Sequence, residues 1–378
     1  MRRLHELDSL RGLAALSVVI NHFLNVLPAI YDRHDALRLL KYTPVRFFWA
    51  GHEAVIFFFV LSGFVLSLPF FKQDVNYVPF LAKRICRIYI PYITAVAVAM
   101  LISQVYAGQR IDSLSTWFNA VWTNPVSPKD IADHATLIGS FHNGAYNPVL
   151  WSLVQEMRIS IIFPLIMWPV KRFGWSFNVI LAGICSLASM GLNHILERKG
   201  IPSGDYLLTL GYIPMFVLGA LLAKHRAMLT SAYASISRPA RYGLLLVAVL
   251  LYTYRWWFAH QSHILHLTTI DDFFVSIAVG IMIVSALASV NISKILGSRP
   301  LVFIGETSYS IYLFHAIILV TLIHALYYIV PLWVIWLLTL GLTFVVSGLA
   351  FRFVEMPSIN AGKRLASLLA SPGKHHIP

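Results

Sequence analysis

A membrane's hydrocarbon core is crossed by a helix of roughly 20 apolar residues, and this chain supplies such runs repeatedly. About ten can be marked, at 10–30, 48–70, 88–107, 149–169, 175–195, 206–223, 241–258, 272–290, 308–328 and 331–351. Composition agrees: 58% of the 378 residues are hydrophobic and 12% are charged, where a soluble domain carries roughly 25% charged residues. Without water in the bilayer core, runs like these satisfy their backbone groups only as helices. The expected fold is all-α, a polytopic integral membrane protein of about ten transmembrane helices. Met1-Arg2-Arg3 and the apolar run behind it have the charge pattern of a signal peptide. The length of that run, its polar residues and the many later spans predict a retained helix instead.

The net charge of +13 does not point to nucleic acid, because the basic residues sit mostly in short connections between apolar runs. An even number of spans puts both termini on one side. With the N-terminus inside, nineteen Lys and Arg fall in inside segments and eight in outside ones, which predicts that both termini are cytoplasmic. The first outside loop, with Arg33, Arg38, Lys41 and Arg46, runs against that trend. Cys86 falls in a basic connection and Cys185 in an apolar run, so no disulfide framework and no metal-ligand spacing is expected. The connection 108–148, with Trp117, Trp122, His134 and His142, is too long for a simple turn and reads as a cap over the outer face. No internal repeat, low-complexity tract or attached soluble domain is visible.

Ionisable groups inside spans carry the functional signal, since a charged side chain in lipid costs roughly 2.5–3.5 kcal/mol or more and normally faces a protein interior or a cavity. In the first run, Arg11, Ala15, Val18 and His22 share one helical stripe, with His22 about 16 Å along the axis from Arg11. Asp8 lies just before that stripe. The fourth run places Ser152, Glu156 and Ser160 on one face, while Arg158, two residues from Glu156, cannot pair with it within the helix. In the ninth, Ser308, Tyr312 and His315 share a face; His324 and His194 read as hydrogen-bonded struts. Arg84 and Arg87 are helix neighbours whose guanidinium forks match phosphate oxygens, although topology anchoring or lipid headgroups explain them equally well. Ser62-Gly63 reads first as a close-packing point, Glu53 as interfacial, and Glu355 as a cap or ion-pair partner near the inner surface. No His-x-x-x-His pair, Gly-x-Ser-x-Gly or P-loop is present. A histidine with a carboxylate partner deprotonates a hydroxyl; the same groups serve proton-coupled transport or a glycan flippase.

Six segments, in this order, resemble the acyltransferase-3 family of membrane O-acyltransferases. They are Leu7-Asp8-Ser9-Leu10-Arg11-Gly12 with His22, Phe58-Phe59-Val60-Leu61-Ser62-Gly63-Phe64, and Arg84-x-x-Arg87 before Ile88-Tyr89-Ile90-Pro91. Trp151-Ser152-Leu153-x-x-Glu156, Ser308-Tyr309-x-x-Tyr312-Leu313-x-His315 and Phe353-Val354-Glu355-x-Pro357 complete the set. The resemblance implies transfer of an acyl group, most often acetyl, from cytoplasmic acyl-CoA to a hydroxyl of a cell-envelope or exported glycan, without a metal. It implies His22 as the catalytic histidine and Arg84 and Arg87 on the donor side. Expected with these are Glu156 or another acid orienting the imidazole, and Arg11 and Asp8 along the cytoplasmic half of the path. Ser62, Trp151, Ser152, Arg158, Tyr309, Tyr312, His315 and Glu355 are expected to support the substrates. The expected partners are the lipid bilayer, acyl-CoA and a glycan, with no nucleic acid, and the expected location is a bacterial inner membrane. The membrane domain is expected over 1–358, with a short basic tail over 359–378 and no hydrolase-like domain. One departure stands out: many family members carry an acid where this chain has Ile56, and Glu53 lies one helical turn earlier.

Overall fold

A computed structural model describes residues 4–28, 42–201, 205–257 and 268–370. Arg33, Arg38 and Lys41 of the first outside loop and the end of the expected tail lie outside them. In chain order the helices are α1 His5–Asn25, α2 Gly51–Ser67, α3 Tyr77–Tyr106, α4 Pro128–Thr136, α5 Leu150–Arg172, α6 Trp175–Arg198, α7 Tyr206–Lys224 and α8 Arg226–Ser235. There follow α9 Arg238–Trp257, α10 Thr268–Ala288, α11 Val290–Leu296, α12 Arg299–Glu306, α13 Ser308–Leu326, α14 Leu332–Ala350 and α15 Met356–Ala370. No strand occurs among the described residues, so the all-α membrane architecture holds.

Nine segments among the described residues are long and apolar enough to cross a membrane. The run expected at 241–258 forms a helix, α9, that is not among those nine; it carries Arg238 and Arg241 at its start and Arg255 near its end. Residue 258 itself lies outside the described residues. α1 begins at His5, earlier than the apolar run, because Glu6 and Asp8 occupy its first turn, where the helix dipole favours negative charge. Asp8 also pairs with Arg11 at 3.1 Å, three residues on. At the other end, residues 359–370 of the expected tail are helical. The last span passes through a π turn at Phe351–Glu355 straight into α15.

The chain divides into two compact units. The first takes the residues up to Phe71, Ile111–Asn119 and Ile166–Tyr312; the second takes Lys72–Arg110, Ala120–Leu165 and the residues from Leu313 on. Within the first unit, α2 and α7 pack backbone to backbone. A Cβ at Gly63 would run into the Phe216 carbonyl, and one at Gly219 into the Val60 carbonyl. Small residues permit this approach between membrane helices, where dispersion contacts replace the hydrophobic effect as the adhesive. α1 meets α12 in the same way: a Cβ on Gly12 would lie 2.7 Å from the Gly305 nitrogen. Ile56, with 0% exposure, belongs to the interior of this unit.

Within the second unit, α15 packs on α3, with Gly362 against Lys83 and Cys86. The Arg84–Arg87 stretch is thus part of a long helix rather than of a connection. α3 also holds the 120–148 segment from one side, as Tyr89 and Tyr92 donate to the carbonyls of Ala135 and His134 at 2.7 and 3.1 Å. From the other side Arg158 of α5 donates to the carbonyls of Ile138 and Gly139 at 3.0 and 2.7 Å. α4 starts at a capping box between Ser127 and Asp130, with Pro128 in its first turn, the arrangement that satisfies the free amides of a helix start.

That capped turn carries a pH dependence. The Asp130 carboxyl is held below the usual carboxylate range, chiefly by the Ser127 hydroxyl. Burial pushes the His134 imidazole down. Both groups therefore bind protons more readily when the segment is unfolded, so its stability is full above the ordinary histidine range and declines as pH falls through it and then through the carboxylate range. Hydrogen-exchange protection of residues 127–146, taken relative to the intrinsic rate at each pH, should be constant above about pH 7 and fall below about pH 6.5. Protection that is flat from neutral pH down to the carboxylate range contradicts the assignment.

Candidate active site

The buried face of α1 is the stripe that carries the histidine. Ala15, Val18 and His22 are 0%, 3% and 8% exposed, while Arg11 at the other end is half-buried and held by Asp8. The His22 ring lies 4.8 Å from that of Trp117, tilted by 36°. Trp117 sits on a single helical turn, Thr116–Asn119, anchored to the end of α1: the Ser115 amide donates to the Val26 carbonyl at 3.0 Å and its hydroxyl to the Asn25 carbonyl at 2.5 Å. Asn119 closes the turn from inside, accepting from the Ile111 amide and donating to the Ile111 and Ser115 carbonyls. An imidazole so placed is shielded from solvent, has one face covered by an indole, and is fixed by a helix rather than a loop. An imidazole takes a proton from a hydroxyl brought within hydrogen-bond reach of its nitrogen. The spacing of the sequence revealed the stripe, but the seat for the ring comes from a segment whose only signal was a tryptophan in a long connection.

In the second unit, α3 and α5 are joined by an ion pair. Arg84 Nη2 donates to Glu156 Oε1 at 2.7 Å, and Nε and Nη2 both reach the Ser160 hydroxyl at 3.2 Å. Glu156 and Ser160 do share a face of α5, and Arg84 is what that face meets. Arg84 is buried, at 8% exposure, whereas Arg87, one turn on, is exposed. The two arginines thus differ: one knits two helices together and the other presents its guanidinium. Glu156, expected beside the imidazole, belongs to the second unit and gives an oxygen to Arg84; His22 belongs to the first.

The remaining expected residues fall into place as follows. Ser152 is buried and donates to the Val149 carbonyl at 3.1 Å; Trp151 beside it is half-buried. Arg158 is taken up by the two backbone carbonyls of the 138–139 segment. On α13, His315 is 0% exposed, Tyr309 is half-buried, and the Tyr312 ring stands edge-on to Phe58 at 5.4 Å. Ser62 is half-buried on α2, next to the Gly63 crossing. Glu355 is 3% exposed on the π turn, a helical irregularity often found at functional positions. His324 stacks on Tyr106 and Trp122 at 5.1 and 5.9 Å, as a strut does. Glu53 accepts from the Trp256 indole at 2.7 Å. Among the described residues no group of three His, Cys, Asp or Glu is placed to hold a metal ion.

A multi-pass helical membrane protein with a sheltered histidine on its first span and a basic helix face on another defines a class that is matched by sequence comparison. The family model described as an acyltransferase domain, acyltransferase-3, matches residues 4–352. The chain belongs to the acyltransferase-3 family. Among its relatives is O-acetyltransferase OatA of Staphylococcus aureus, 23% identical over 396 residues in strains NCTC 8325 / PS 47, COL and MRSA252 alike, covering 97% of this chain and 59% of the relative. The chain therefore spans less than two thirds of the length of these curated relatives. No solved structure matches it.

Proposed function

We propose that this protein is an O-acetyltransferase that moves an acetyl group from cytoplasmic acetyl-CoA to a hydroxyl of a cell-envelope or exported glycan. It works in a bacterial inner membrane with both termini in the cytoplasm and α9 as the tenth crossing. The observation that carries this reading is His22, buried on the first span and seated on Trp117, in a chain whose family is one of acyltransferases. In the reaction, the imidazole takes the proton of the acceptor hydroxyl as its oxygen bonds to the thioester carbonyl carbon. The carbon–sulfur bond then breaks, and the imidazolium returns the proton to the departing thiolate of coenzyme A. The products are an ester and free thiol, and no metal is required. General-base help of this kind contributes about 10²–10⁴-fold.

The donor's phosphates are assigned to Arg87, because its guanidinium is exposed and presents the five donors that phosphate recognition uses. Arg84 acts through its pair with Glu156, which fixes the α3 face from which Arg87 projects; Glu156 is then a positioning residue for the donor. Asp8 and Arg11 line the approach to His22 in the first unit, with Ser62, Tyr309 and Tyr312 of that unit as substrate-side residues, and Trp151, Ser152, His315 and Glu355 are the supporting residues of the second unit. Arg158 supports it by holding the 138–139 segment.

The full chain in proteoliposomes should release coenzyme A from acetyl-CoA faster when a sugar acceptor is supplied. Sugar movement across the bilayer without acetyl-CoA would instead support a transporter. Arg87→Ala should weaken acetyl-CoA binding about ten-fold or more, the scale of hydrogen bonds to a charged group. Unchanged affinity would make Arg87 a topology anchor.

A further inference from the structure

Near the His22 end of α1, within the first unit, lies a second polar cluster that the reaction just described does not use. It is built on the turn Pro44–Trp49, the start of α2 and the end of α9. Glu53 is 2% exposed; its Oε1 accepts from the Trp256 indole at 2.7 Å, while its Oε2 is buried without a hydrogen-bond partner. The Arg46 guanidinium lies 3.6 Å above the Trp256 ring; Arg46 is 6% exposed, and its Nε is likewise buried without a partner. The indole nitrogen of Trp49 is the third such atom. At the edge of the cluster, His52 Nε2 meets Asp272 Oδ1 at 2.6 Å.

Two donors and one acceptor thus fall in one stretch of eight residues, each a buried atom without a hydrogen-bond partner. Buried polar atoms are almost always matched, so such a set marks a place where something else supplies the bonds. Its chemistry selects the visitor. An anion is repelled by Glu53, a metal cation meets Arg46 and finds one carboxylate oxygen as ligand, and an apolar group leaves all three atoms unmatched. A hydroxyl both donates and accepts, and neighbouring hydroxyls of a sugar can serve several such atoms at once. The stretch is also tied to the catalytic helix. The Asn21 side chain packs where a Cβ on Gly51 would stand, 2.6 Å away at its nearest, one residue from His22 on α1 and two from Glu53 on α2.

We propose that Arg46, Trp49 and Glu53 form the acceptor subsite, taking adjacent hydroxyls of a neutral carbohydrate beside His22. The inference rests on the acyl-transfer reading for its meaning, but the subsite itself can be tested without turnover. Saturation-transfer NMR on the full chain in micelles, without acetyl-CoA, would use N-acetylglucosamine and its β-1,4-linked tetramer as probes. Wild type should transfer magnetisation to at least one probe. Glu53→Gln should weaken that binding about ten-fold, as loss of bonds to a charged acceptor does. Trp49→Phe, which removes the indole N–H and keeps an aromatic ring, should weaken it several-fold with the fold intact. Equal binding by wild type and both variants overturns the subsite, as does binding of neither probe by wild type. Binding that is lost in the variants, in a protein that transfers no acetyl group, upholds the subsite and removes only the transfer reading.

Discussion

His22→Ala is expected to lower acyl transfer by about 10²–10⁴-fold, the range over which a positioned general base acts. The loss should appear in the maximal rate, because the side chain is assigned to the proton of the reacting hydroxyl and to neither substrate's binding groups. Burial complicates the experiment: at 8% exposure and with Trp117 4.8 Å away, removing the ring also removes packing. His22→Gln, closer in volume and unable to act as a base near neutral pH, separates the two effects. Both variants should fall to similar residual rates, with hydrogen exchange along α1 unchanged in the glutamine variant. Transfer that survives in His22→Gln would assign the base elsewhere.

The second large effect concerns stability. Glu156→Ala takes its carboxylate away from the buried Arg84 guanidinium, and breaking a buried pair typically costs about 3–5 kcal/mol. Side-chain exposures of 10% for Arg84 and 18% for Glu156 place the expected value near the lower end of that range. Thermal unfolding in detergent should show a clearly lower midpoint for Glu156→Ala. The double variant Arg84→Met with Glu156→Leu should recover most of the loss, since apolar replacement of a buried pair is often neutral. A Glu156→Ala variant as stable as wild type would mean that the pair contributes nothing to joining α3 and α5.

These two residues also show what a sequence of this kind discloses. Helical periodicity put Arg11, Ala15, Val18 and His22 on one face, and burial of the last three follows directly from that geometry. The same rule grouped Glu156 with Ser160, and Ser62-Gly63 marked the α2–α7 crossing because a missing side chain has few other uses inside an apolar run. What periodicity does not encode is which face meets which. Arg84 and Glu156 lie 72 positions apart, and nothing in either helix names the other. Trp117 was visible only as an aromatic in a long connection; its seat on His22 depends on the Ser115 and Asn119 hydrogen bonds, which are tertiary. The helical form of residues 359–370 has a different origin. A π turn at Phe351–Glu355 carries the last span into α15, and basic residues on an amphipathic helix look, in sequence, like a solvated tail. α9 has an apolar centre flanked by arginines, and is not one of the nine segments among the described residues that are long and apolar enough to cross a membrane.

The central claim is that His22 drives transfer of an acetyl group onto a glycan. The most direct measurement is mass spectrometry of envelope and exported glycans from cells carrying the protein, lacking it, or carrying His22→Ala at equal abundance. The account predicts glycan species heavier by one acetyl group in the first cells only. Identical spectra from all three, or acetylated species that persist with His22→Ala, would contradict it.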